Sequence, residues 1–350
     1  MKTILTHIIV ACALAVSAAG FAATEITLVK ANPDAKIAYT NPVWSPNGRS
    51  IAYVAIPYTE SPNEVTFPKA GKSVCLATIT GSGWKSRTLV KEADWPVWSP
   101  DGKRLAFNQG GLAVMDIATG KITRLTKDQP DPCIANPHVD YPMSWSPNGL
   151  YIFYGSITGE GISAFMRNVK VNQNSRLKVG TESAWMADGK LLTTVPGDSS
   201  AQFQIIDPAT GKIQKLADGL VARQPFNLKG TSYAWVRITE NAPKGEGIYR
   251  VDFKTKVLTK QIGVRAEEFY WAPSGKQFAF IGKFAMRKGE ETQAYLYLGD
   301  TRNWVFKILA KGIATPTGSL PDRTRYASWS PASNSIAFAT KEGDIKIVKL

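Results

Sequence analysis

One five-residue phrase, Trp-Ser-Pro-Asx-Gly, constrains this chain more than any other feature. Trp44-Ser45-Pro46-Asn47-Gly48 precedes Ile51-Ala52-Tyr53, and the phrase returns at Trp98 before Leu105-Ala106-Phe107 and at Trp145 before Ile152-Phe153-Tyr154. Trp271-Ala272-Pro273-Ser274-Gly275 and Trp329-Ser330-Pro331 head two further copies, followed by Phe278-Ala279-Phe280 and Ile336-Ala337-Phe338. Degenerate copies anchor at Trp185 and at Phe226, so seven anchors follow one another at steps of 40 to 58 residues. Self-similarity at this period marks a repeat architecture, in which each unit buries its apolar face only against its neighbours.

Within a repeat the pattern is that of antiparallel hairpins. Asn-Gly and Asp-Gly are read as supplying positive φ for a tight connection between short apolar runs. Downstream, Asp116 and Asp207 each lead into an Ala-Thr-Gly-Lys turn and a fourth run, so each repeat holds four strands. Four-stranded units in line predict an all-β chain folded as a β-propeller of seven four-stranded blades, with six left open. The last repeat stops after a third strand, over 344–349, while residues 25–29 read as a strand without a repeat. The N-terminal strand is therefore expected to close the last blade and hide the edges of the first and last repeats.

The repeated phrase and the (Ile/Leu)-Ala-(Phe/Tyr)-type strand after it resemble the repeat of the TolB-type propeller family, over residues 25 to 350. The resemblance implies a protein-binding propeller of the cell envelope. It does not extend to the α/β domain or the six-blade pattern of TolB. Seven-bladed relatives include the propellers of prolyl-oligopeptidase-type peptidases and the oligogalacturonate lyases, which supply enzyme alternatives.

The first 22 residues read as a cleavable export signal: Lys2, an apolar run over 4–16, and a small-residue stretch ending at Ala22. The expected organisation is thus a signal over 1–22, one propeller domain over 23–350, and a periplasmic, monomeric mature protein without a transmembrane segment. A lipoprotein reading at Cys12 would leave too short a signal. Removing Lys2 lowers the formal charge from +14 to +13 and leaves His138 as the one histidine. That excludes sites needing two or three imidazoles, so no metal and no cofactor is expected. Cys75 lies in an apolar run, and a bond to Cys133 requires Cα atoms within about 7 Å.

Candidate chemistry is sparse. A Gly-x-Ser-x-Gly elbow is absent, Gly120-Lys121 and Gly211-Lys212 lack the spacing of a phosphate loop, and the expectation is a non-enzymatic protein. The anchor tryptophans share one position in the repeat and should pack between blades. Trp84, Trp95, Trp235 and Trp304 lie elsewhere, and Trp95 is a candidate contact residue.

Propeller topology puts first-to-second and third-to-fourth turns on one face, and second-to-third turns and blade links on the other. The second group holds the insertions, over 57–72, 127–140, 239–245, 284–292 and 311–324. Insertions on one face of a rigid scaffold point to binding there. Lys69, Lys72, Arg287, Lys288, Arg323 and Arg325 in or beside these loops form the candidate partner site, suited to an acidic envelope protein or an anionic glycan rather than nucleic acid. The alternative is a carbohydrate-active or glycan-binding propeller using carboxylates at the channel mouth. Its candidates are Asp94, Asp140, Glu182 and Glu268, with Trp95, Tyr141, Arg223 and Tyr326 beside them.

Overall fold

The structure, a computed structural model, describes residues 24–61, 64–66, 70–126, 139–158, 161–171, 173–177, 183–195, 201–219, 221–240, 243–264, 266–284, 293–314 and 325–350. The expected export signal, Cys133 and His138 lie outside them. Seven four-stranded antiparallel sheets follow one another as propeller blades. From the axis outward, blade 1 runs Ile37–Trp44, Ser50–Pro57, Ser73–Thr80 and Gly83–Lys91; the innermost strands of blades 2 to 6 are Asp94–Trp98, Val139–Trp145, Ala184–Trp185, Val221–Phe226 and Glu268–Trp271. Blade 7 has Ala327–Trp329, Ser335–Ala339 and Ile345–Lys349, and its outer strand is Glu25–Val29. Glu25 pairs with Val348, Ile26 with Ile347 and Thr27 with Lys346, so the N-terminal strand closes the ring as expected.

The repeated phrase performs one local job. Gly48 N donates to the Ser45 carbonyl (2.9 Å), the Ser50 amide donates to Ser45 Oγ (2.9 Å), and that hydroxyl donates to Asn47 Oδ1 (2.7 Å). Asn47 Oδ1 also accepts the Arg49 amide (2.9 Å). The glycine takes the positive φ, 69° at Gly48, while the Asx before it does not, which corrects the sequence reading of the pair. Its side chain is a hydrogen-bonding cap in a three-residue turn that ends left-handed. In blade 7, Ser333 fills the glycine position at φ 58°.

The tryptophan then ties the blade to its predecessor. Trp98 Nε1 donates to the Val43 carbonyl of blade 1 (3.1 Å), Trp145 Nε1 to Val97 of blade 2 (3.1 Å), and Trp329 Nε1 to Tyr270 of blade 6 (3.1 Å). The blade faces around these indoles are dry: Ile51, Ala52, Leu105, Phe107, Ile152, Phe153, Phe278, Phe280 and Ala337 have no measurable exposure. Blade 5 departs from the pattern. Its innermost strand pairs Arg223 with Arg237 and Phe226 with Trp235, as blade 1 pairs Thr40 with Val54 and Val43 with Ala52. Phe226 therefore occupies the position of Val43, and Asn227, one residue beyond the sequence-based anchor, stands where the tryptophan stands in blade 1. Trp235 supplies the missing aromatic mass, stacking on Phe226 (6.1 Å between centroids) and Trp271 (5.3 Å).

Candidate functional site at the mouth of the axial cavity

The innermost strands enclose a cavity of about 560 Å³ on the propeller axis, walled by residues from all seven blades, from Asn41 in blade 1 to Trp329 in blade 7. We call its mouth the end lined by Ser183, Glu268 and Arg325, at or beside the starts of innermost strands. There the ladders break. Bulges interrupt pairing between Thr40 and Val43, Asp94 and Val97, and Arg223 and Phe226. The residues thrown out of register, Asn41 (φ 54°), Trp95 (φ 49°) and Gln224 (φ 44°), are left-handed, and all three line the cavity. Each precedes a proline, which removes a ladder donor and restricts the residue before it. Asparagine tolerates this conformation; for tryptophan and glutamine it costs about 1–3 kcal/mol apiece. Backbone strain of this kind clusters at ligand clamps and active sites.

The polar groups at the mouth are only partly satisfied. Gln224 Nε2 reaches Glu268 Oε2 at 3.4 Å, whereas Gln224 Oε1 and Ser144 Oγ, both buried, have no hydrogen-bond partner among the described residues. Arg325, at the start of blade 7, donates from Nη2 to the Met143 carbonyl of blade 3 (2.7 Å), and its amide donates to Asn41 Oδ1. The guanidinium thus reaches from blade 7 to the opposite side of the ring. Tyr270 Oη accepts the Tyr326 amide (3.1 Å), and desolvation, with the Glu268 charge beside it, holds the Tyr270 phenol well above its ordinary range, so it stays neutral.

Of the channel-mouth candidates, the structure brings Trp95 and Glu268 to this wall, together with Arg325 from the partner-binding set. Asp94 is turned away from the cavity. It is buried, its Oδ2 bonded to Lys72 Nζ (3.1 Å) and its Oδ1 to Asn108 Nδ2 (2.9 Å). Burial raises its carboxyl above the usual range, against the pull of the Lys72 charge and the Asn108 bond. Lys72 also stands 5.6 Å over the Trp95 ring. Its charge is paired inside the protein, in the nearly buried ion pair with Asp94. Tyr326 is buried and Arg223 sits in the blade 5 ladder, neither on the cavity wall. Asp140 and Tyr141 lie in the innermost strand of blade 3, with side chains outside the described residues; Glu182, Lys69, Arg287, Lys288 and Arg323 lie outside them altogether. Sequence reasoning missed Asn41, Gln224 and Ser144. The signal was present for the first two as Asn41-Pro42 and Gln224-Pro225, which match Trp95-Pro96.

No established protein-family profile matches the chain. In sequence it is 27% identical over 190 residues to the uncharacterized peptidase YuxL of Bacillus subtilis, across 51% of this chain and 26% of that protein. The chain thus covers about a quarter of that relative's length. In structure it resembles oligogalacturonate lyase of Vibrio parahaemolyticus (TM-score 0.67, 10% identity, 93% of this chain and 97% of the lyase). It also resembles the β-propeller domain of the trilobed protease of Pyrococcus furiosus (0.55, 12%, 89% and 93%). TolB of Acinetobacter baumannii is more distant (0.48, 10%, 85% and 79%). The likenesses to the lyase and to the protease domain are likenesses of fold, a β-propeller.

The comparisons overturn the expectation of a non-enzymatic protein. The sequence relative is described as a peptidase, and the fold neighbours include a lyase and part of a protease. A propeller need not carry a nucleophile elbow in its own blades to belong among enzymes. The missing motif and the shortage of histidine do not support a non-catalytic reading.

Proposed function

We propose that this chain is a glycan-binding propeller of the cell envelope, taking an oligosaccharide into the axial cavity from the long-loop face. The observation that carries the reading is the strained trio Asn41, Trp95 and Gln224 directed at one cavity of about 560 Å³. The indole of Trp95 offers an apolar face to a sugar ring, and the amides of Asn41 and Gln224 offer both donors and acceptors to hydroxyls. Gln224 Oε1 and Ser144 Oγ, without partners among the described residues, are acceptors that a sugar hydroxyl would satisfy, offsetting the desolvation of two buried polar atoms. Arg325 would meet a carboxylate on a uronic acid unit with charge-assisted hydrogen bonds, so an acidic oligosaccharide fits better than a neutral one. Glu268, the candidate carboxylate that lines the cavity, would accept from hydroxyls and is the group on which bond cleavage would centre. Export through the N-terminal segment would place the site where such glycans occur.

The test is calorimetric titration of the full chain with uronic acid oligosaccharides and with neutral ones of equal length, the products being checked for bond cleavage. Binding of the acidic series, weakened at least about tenfold by Trp95→Ala or Arg325→Ala with unchanged folding, is expected. Lack of binding by either series, or binding indifferent to both substitutions, would sink the reading.

A further inference from the structure

The face opposite the mouth is built from short turns, and it carries a second pattern. Ile79, Ile122, Val171, Ile213, Val257, Val305 and Leu350 are the large apolar side chains that stand exposed among the described residues, at 38% to 60% of full accessibility. There is one in each blade. Six sit at the third-to-fourth strand turn, and Leu350 follows the third strand of blade 7 at the same height, its amide donating to the Asn334 carbonyl in the first-to-second turn. In the same way the Ile79 amide of blade 1 donates to the Arg49 carbonyl. The seven therefore form a ring on one face. Outer strands favour β-branched residues, but that preference does not explain why the exposed ones stop at this rim, with Thr123, Arg124, Gln214 and Lys215 following them along the strands.

Each aliphatic tip has an exposed lysine beside it. Lys121, Lys170, Lys212, Lys256 and Lys349 are its sequence neighbours, Lys307 is two residues past Val305, and Lys85 lies across the hairpin from Thr78, next to Ile79. The aspartates of the same turns are directed back at the backbone: Asp116 Oδ1 accepts the Thr119 amide (2.8 Å), Asp207 Oδ1 the Ala209 amide (2.9 Å) and Asp252 Oδ1 the Thr255 amide (2.8 Å). A flat ring of apolar tips interleaved with cations matches a surface that is itself flat, anionic at the level of the cations and apolar just beneath. A lipid bilayer with anionic headgroups has that layering. A folded protein partner would present relief, and a ring dispersed around a whole rim would meet it at few points.

From this arrangement we infer that the short-turn face docks on anionic membrane surface, the aliphatic ring dipping to the headgroup boundary and the lysines resting among the phosphates. The mouth of the axial cavity then faces away from the bilayer. This does not depend on the glycan reading, because that one is tested in solution without lipid and this one without glycan.

The experiment is co-sedimentation of the full chain with phosphatidylcholine vesicles, with and without phosphatidylglycerol, at low and high salt. Retention on the anionic vesicles alone, weakening as salt rises, is expected. The triple variant Ile122→Ser, Ile213→Ser, Val257→Ser should partition about tenfold less at low salt. Lys121→Glu, Lys212→Glu, Lys256→Glu together should lower partition roughly a hundredfold or more. Brominated lipid should quench Trp84 and Trp304, which stand at these turns in blades 1 and 6, and the quenching should be lost with Trp84→Phe and Trp304→Phe. Unchanged thermal midpoints certify that the exposed substitutions leave the fold intact. Failure to bind anionic vesicles overturns the inference, as does equal retention on neutral ones. So does a serine variant that binds like the parent, since the ring would then not enter the lipid. A serine variant that instead converts a self-associated protein to monomer, without vesicle binding, assigns the face to a second copy of the chain.

Discussion

The two ends of each innermost strand are built on opposite terms. At the short-turn end, Ser45, Asn47 and Gly48 close a turn in which a glycine takes the left-handed position and every polar side chain finds a partner nearby. At the mouth end, Asn41, Trp95 and Gln224 take that conformation without glycine, and Gln224 Oε1 and Ser144 Oγ find no partner among the described residues. The first end recurs from blade to blade because it makes the fold. The second end varies because its residues converge on one axial cavity, where repetition has no value. Strain and unsatisfied polarity tell the two apart where overall composition does not.

The comparison can be broken most directly with two tryptophans three residues apart. Trp98 is buried and bonded to the previous blade, so Trp98→Ala should cost about 4 kcal/mol in chemical denaturation. Trp95→Ala should cost far less, because its ring lines the cavity and its backbone is strained. Equal losses would mean that the mouth is as structural as the blade contacts.

Next in size is the buried pair beside the mouth. Lys72→Met leaves the Asp94 carboxylate buried without its cation and should cost about 3 kcal/mol near neutral pH. The pH dependence has a definite sign. The Asp94 carboxyl is already raised in the folded protein, so the fold holds its proton more tightly than the unfolded chain does. Stability from this group is present below the ordinary carboxylate range and is lost as pH rises through the folded value. Removing Lys72 deepens that loss, so urea midpoints of variant and parent should converge in acid and part toward neutrality. A constant gap would show that Lys72 acts by packing alone.

The smallest effect sharpens the comparison. Gln224→Gly relieves a left-handed glutamine, which should recover about 1 kcal/mol against the flexibility that glycine adds to the unfolded chain. The net change in stability should lie near zero or be a slight gain, while oligosaccharide affinity falls. A loss of stability above about 1 kcal/mol would show that the Gln224 side chain holds blades 5 and 6 together, rather than serving the cavity.

Much of this architecture was legible in the residues. The recurring phrase located the blades because the turn it makes is local: serine, proline, Asx and glycine act on one another within six positions. The missing outer strand of the last repeat pointed to N-terminal closure by counting alone. Blade 5 was misplaced by one residue because its tryptophan is absent, and only the pairing of Phe226 with Trp235 shows that Asn227 holds that position. Of the mouth candidates, Trp95 and Glu268 reached the cavity wall, and Asp94 did not because a bulge turns its neighbour inward and leaves it facing Lys72.

The sequence by itself determined the all-β repeat and the four-strand order within a blade, since these follow from contacts between residues near in the chain; that the ring has seven blades rather than six came from the structure. The tertiary structure alone decided the cavity. Its wall joins Asn41, Gln224, Glu268 and Arg325, which belong to four different blades, and the bond from Arg325 to the Met143 carbonyl spans 182 positions of sequence. Such a juxtaposition is set when the ring closes on itself, and closure is a property of the whole chain. The aliphatic rim stands between the two cases: every member sits at a local turn, but only the common face of the ring makes them a surface.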